Sequence, residues 1–201
     1  MQAQYELPSW QDALDRCNKF QQLKPENQKG RVKALALLWL AFQHRYASEI
    51  AEFPLFIRPR LTAGDKGLLE RLLHEIPHAP ERAWLIEGDA GMGKTTFCQY
   101  LCQVYWKMYF DGLQERIPLY VYLLDVNEHS AQNYVCAALS RQYEGIRQQL
   151  LPAGITLDES DMAWLMQQPL LLILDGFDLV RAPAVCEQEV SRWIFLMTSG
   201  S

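Results

Sequence analysis

Gly88-Asp89-Ala90-Gly91-Met92-Gly93-Lys94-Thr95 fits the pattern G-x-x-x-x-G-K-[ST] without a mismatch. Before it, Ala83 to Glu87 reads as a short apolar strand; after it, Lys94 to Phe110 reads as a helix. A strand, this loop and a helix in that order form the context in which the pattern cradles phosphate. Gly91 and Gly93 allow backbone conformations that turn consecutive N–H groups inward. The helix N-terminus adds partial positive charge. Lys94 brings a point charge to the β- and γ-phosphates, and Thr95 offers its hydroxyl to Mg²⁺. The candidate nucleotide-binding residues are therefore Gly88, Ala90, Gly91, Met92, Gly93, Lys94, Thr95 and Thr96.

Leu170-Leu171-Leu172-Ile173-Leu174-Asp175 supplies the second half of such a site. Five apolar residues in a row suit a parallel strand buried on both faces. An aspartate at its end falls at the carboxyl edge of the sheet, beside the loop. Asp175 is the candidate Mg²⁺ ligand together with Thr95. Many phosphate-loop ATPases place Glu directly after this aspartate to orient water, but here that position is Gly176. Asp178 is the next acidic group and can orient water or join the metal shell. Lys94, Asp175 and Asp178 are the candidate catalytic residues.

Strands and helices alternate from Arg82 onward. Ile117 to Leu124 reads as a strand, Ala131 to Leu150 and Asp158 to Gln167 as helices, Pro183 to Ser191 as a short helix, and Trp193 to Met197 as a fourth strand. Four strands separated by helices predict an α/β parallel sheet. Ahead of them, Ser9 can cap a helix through Trp10, Leu14, Cys17 and Phe20. Pro25 and Glu26 open a longer one through Val32, Leu35, Leu38, Trp39, Phe42 and Tyr46. Apolar spacings of three and four predict one buried stripe on each, available to the chain's own core or to a partner. Phe53 to Arg60 is an extended, proline-interrupted connector, and Asp65 to Ile76 a helix. The expected divisions are 1–52, a helical N-terminal extension; 53–80, a connector and helix; and 81–201, the nucleotide-binding core.

The chain has 201 residues, 49% hydrophobic and 21% charged, which excludes wholesale disorder and collagen-like order. Its net charge of −5 argues against a sequence-independent nucleic-acid binder. Residues 1–80 carry 11 basic and 9 acidic side chains, and residues 81–201 carry 8 and 15. The anion-binding loop lies in the acidic half, so it works through local geometry rather than a broad positive field. Five cysteines without a C-x-x-C pair give no disulfide framework or zinc spacing. Cys98 and Cys102, four apart, read as core packing, and so do Trp39, Trp84 and Trp106. His129, after the second strand, is a loop histidine that can approach nucleotide. The longest apolar run, Ala34 to Phe42, is nine residues, against about 20 for a membrane span. The N-terminus has no secretory pattern, so a soluble, cytoplasmic setting is expected.

Gly88 to Thr96, joined to Leu171-Leu172-Ile173-Leu174-Asp175-Gly176-Phe177-Asp178, resembles a NACHT domain of the STAND class of P-loop signalling NTPases, the type found in NOD-like receptors. Ile117 to Leu123 resembles the family's second strand. The lead-in from Trp164 to Leu170 agrees, and Trp193 to Ser199 resembles its sensor strand. The resemblance covers about residues 53–199. It implies a RecA/AAA-like P-loop NTPase sheet that here lacks its last strand, and a fragment of a longer protein. It also implies ATP (or ADP) and Mg²⁺ as ligands, and a nucleotide-controlled switch that self-associates and serves innate-immune or defence signalling. Protein partners would dock through the N-terminal helices. Leu179 stands where the family has Glu, which together with Gly176 points to slow hydrolysis; a second departure is Gly200, where the family has the sensor Arg.

Other classes lack their marks. A GTPase needs Asn-Lys-x-Asp, but Asn18-Lys19 is followed by Phe20-Gln21. No Leu-Ser-Gly-Gly-Gln signature and no Arg-rich lid is present. A steadily cycling ATPase or phosphotransferase and a scaffold that holds nucleotide without cycling both stay open.

Overall fold

In the computed structural model of the chain, the described residues are 7–23, 32–47, 67–76, 84–87, 89, 91–123, 134–150, 154–176 and 193–199. Along the chain they form α1 (Trp10–Leu23), α2 (Val32–Phe42), a π-helical turn (Gln43–Ala47), α3 (Leu68–Glu75), β1 (Trp84–Glu87), α4 (Lys94–Phe110), β2 (Ile117–Tyr122), α5 (Tyr134–Leu150), α6 (Glu159–Gln167), β3 (Leu170–Asp175) and β4 (Trp193–Ser199). The readings of 53–60 as a connector and of 183–191 as a helix lie outside the described residues. So do the start at Pro25-Glu26 and the ends at Ala131 and Asp65.

The four strands form one parallel sheet in the order β1-β4-β3-β2. The α/β parallel sheet read from the strand–helix alternation is therefore present. Every residue of β3 is buried, as expected of an apolar interior strand. Pro118 sits inside β2, not ahead of it. The N–H of Ile117 donates to the Pro169 carbonyl at 3.0 Å. Position 118 therefore turns its N side away from β3, toward the sheet edge among the described strands, where a missing donor costs no ladder bond.

The α4 helix packs on β2 and β3, and α5 packs on β2 and α2. Phe97, Leu101, Tyr105, Trp106 and Tyr109 on α4 are all buried. An aromatic cluster then ties α1 and α2 to α4. Phe20 lies 4.6 Å from Tyr109, Trp39 meets Phe110 edge-on at 5.9 Å, and Trp106 stacks on Phe110 at 5.5 Å. The Arg16 guanidinium covers Trp39 at 5.0 Å. Trp39 and Trp106 are thus core residues, whereas Trp84 is only half-buried beneath Arg71.

The single-stripe expectation for α2 is corrected. Val32 and Ala34 through Phe42 are all buried. The reason is its position: α1, α5, α6 and the π-helical turn all pack on it. A helix enclosed by neighbours is apolar all round, not on one face. Only Lys33 departs from this. Its ammonium reaches the Asp158 and Asp161 carboxylates at 2.7 and 2.6 Å.

These two aspartates form the N-cap box of α6. Asp158 accepts from the Ser160 and Asp161 N–H groups, and Asp161 accepts from the Asp158 N–H. Ser9 and Asp12 cap α1 in the same reciprocal way. Hydrogen bonding from Lys33, then from Ser160, holds the Asp158 carboxyl well below the usual carboxylate range. A lowered folded value stabilises above about pH 4, and the contribution is lost as pH falls below that. The melting-temperature gap between the chain and Lys33→Met is therefore expected to narrow on acidification through this window. A gap that stays constant would show that the ion pair contributes nothing.

No helix among the described residues is long and apolar enough to cross a membrane.

Candidate nucleotide-binding site

The carboxyl ends of the four strands line up. Glu87 pairs with Ser199, Leu174 with Met197, and Tyr122 with Asp175. The loop after β1 and the carboxylate ending β3 therefore open on one edge of the sheet. They stand two strand spacings apart, roughly 10 Å, with β4 between them.

Gly91, Met92 and Gly93 make an exposed turn closed by the Met92 N–H donating to the Asp89 carbonyl at 3.3 Å. Gly91 and Gly93 take φ of 81° and 78°, left-handed values that disfavour any side chain. A Cβ built on either would meet nothing within 4 Å. The glycines thus serve backbone direction and leave open room beside it. Gly93 is the N-cap of the 17-residue helix α4, and as glycine it brings no side-chain cap of its own. An anion suits such an end. Lys94 opens the helix, and its ammonium donates to the Asp89 carbonyl at 3.0 Å, which ties it to the loop. Thr95 follows, exposed, and Thr96 is half-buried.

Asp175 is 2% exposed. The Tyr120 hydroxyl donates to its Oδ2 at 2.8 Å. Burial, and then the neighbouring carboxylate, push the Tyr120 hydroxyl well above its ordinary value, so it stays a donor. Cys98 lies behind the same carboxylate, and burial raises its thiol strongly. Cys102 is fully buried as well, so both are packing residues in the core.

The residues present suit both expected ligands. The loop offers backbone N–H groups at a helix start, open space and a lysine to phosphate; Thr95 and Asp175 offer hard oxygens to Mg²⁺. Gly88, Ala90, Asp178 and His129 lie outside the described residues. Gly176 has φ of 79° and is buried. The position therefore favours glycine over the glutamate that many phosphate-loop ATPases carry there. Gly176→Ala is expected to cost about 1–2 kcal/mol of stability, readable from denaturant unfolding; an unchanged midpoint would contradict the strain.

Sequence reasoning missed Tyr120. The one available signal was a hydroxyl inside the apolar stretch Ile117 to Val121, because a buried hydroxyl needs an acceptor. Naming that acceptor requires the β2–β3 register.

No curated protein matches the chain. A family model described as the NACHT domain matches residues 82–199, more than half of the chain, and spans both the Lys94 loop and Asp175. With its parallel sheet and its loop and carboxylate at one edge, the chain belongs to the NACHT domain family of P-loop NTPases.

Proposed function

We propose that the chain binds Mg-ATP between the Gly88–Thr96 loop and Asp175, hydrolyses it slowly, and acts as a cytoplasmic signalling switch that self-associates in one nucleotide state. The observation that carries the proposal is the shared sheet edge of the Lys94 loop, which follows β1, and of Asp175, which ends β3, with β4 between the two strands. Loop N–H groups and Lys94 would hold the phosphates, while Thr95 and Asp175 would hold the cation, which would supply charge neutralisation for phosphoryl transfer. Thr96 lines the same turn. Support for slow turnover comes from Gly176, whose left-handed backbone leaves no ready place for a water-orienting glutamate. Asp178, the next acid in the sequence, is the candidate for that role.

A switch needs different ATP and ADP affinities in its two arrangements, because equal affinities shift nothing. Partner docking through the N-terminal helices would use the exposed polar side of α1, since α2 is enclosed.

The proposal is tested by phosphate release together with amide hydrogen exchange. Turnover well below about 1 s⁻¹ is expected, along with protection of α1 and α2 that differs between Mg-ATP and Mg-ADP. Faster turnover with identical protection would favour a steadily cycling ATPase instead. Light scattering in the two nucleotide states reads self-association.

A further inference from the structure

Tyr120 stands at the centre of a short chain of contacts from the N-terminal helices to the sheet edge. Its hydroxyl donates to Asp175 Oδ2 at 2.8 Å. Its carbonyl accepts from the Gln142 side-chain amide of α5. Its ring meets Tyr46, in the turn that continues α2, at 4.6 Å and 67°. Tyr46 in turn packs on Phe42 at 5.7 Å. Fixing one oxygen of a buried carboxylate fixes the plane of the group, and hence the direction in which the other oxygen faces. Groups behind a metal ligand commonly set its orientation and its affinity for the metal.

We propose that Tyr120 is a positioning residue for the metal-holding carboxylate of Asp175, and that Tyr46 braces Tyr120, so that the N-terminal helical segment tunes the Mg²⁺ dependence of nucleotide binding. The inference rests on the nucleotide-site reading given above.

The test titrates Mg²⁺ at fixed ATP and measures ATP affinity separately in EDTA, for the chain, Tyr120→Phe, Tyr46→Leu and Asp175→Asn. Tyr120→Phe is expected to raise the Mg²⁺ midpoint roughly ten-fold while leaving the affinity in EDTA unchanged. Tyr46→Leu moves the midpoint in the same direction by less. Equal losses with and without metal would mark Tyr120 as merely structural and overturn the proposal. An unchanged midpoint in Tyr120→Phe, with a raised one in Asp175→Asn, would overturn it and leave the site standing. An unchanged midpoint in Asp175→Asn would remove the site reading, and the proposal with it. If Tyr120→Phe melts near the working temperature, Tyr46→Leu decides: a raised midpoint supports the brace and an unchanged one refutes it.

Discussion

Lys94→Ala is expected to weaken Mg-ATP binding by roughly a hundred-fold, the range for losing a charge-assisted hydrogen bond to a phosphate. The effect is specific to binding. Within the fold, the Lys94 ammonium donates to the Asp89 carbonyl at 3.0 Å, and that exposed contact is worth about 1 kcal/mol at most. The glycine turn and the first turn of α4 keep their own backbone bonds, including Phe97 N–H to the Gly93 carbonyl at 2.9 Å. Calorimetric titration with a parallel thermal melt separates the two quantities. A large fall in melting temperature would mean that Lys94 is structural. An unchanged Kd would mean that phosphate sits elsewhere.

Leu35→Ala and Leu37→Ala are each expected to cost about 2–5 kcal/mol. The two side chains lie about 200° apart around α2, on nearly opposite faces. They are 2% and 1% exposed. A helix with one buried stripe would tolerate one of these substitutions and not the other. An enclosed helix tolerates neither. Urea unfolding of both variants decides between the two. A cost below about 0.5 kcal/mol for either, the usual size at a surface site, would contradict the enclosed position of α2.

The same helix shows where sequence patterning reaches its limit. Spacings of three and four at Val32, Leu35, Leu38 and Phe42 read as a stripe, although Leu37 and Leu40, with Ala34, Ala36 and Ala41, make the other side apolar as well. In the fold those alanines are 0%, 0% and 1% exposed, on a helix against which α1, α5, α6 and the π-helical turn all pack. Enclosure is a tertiary property that local periodicity does not encode. By contrast, Lys94–Phe110 matches its sequence reading at both ends, since Gly93 and the Asp111-Gly112 turn punctuate it. Leu170–Asp175 was equally legible, because a short run of five apolar residues ending at an aspartate suits a strand covered on both faces. The loop and Asp175 were readable as motifs. The Tyr120–Asp175 bond was not, because it depends on a pairing register between strands about 50 residues apart in sequence. The capping role of Asp158 was within reach of its sequence position, but its ion pair with Lys33, 125 residues away, was not.

The most direct test of the central claim is a calorimetric titration of ATP, ADP and GTP into the chain with Mg²⁺ and again in EDTA. Adenine-selective binding that tightens with Mg²⁺, and loses that tightening in Asp175→Asn, is the predicted result. Binding indifferent to Mg²⁺ and to Asp175, or no nucleotide heat from the folded chain, would contradict a nucleotide site built from the Lys94 loop and Asp175.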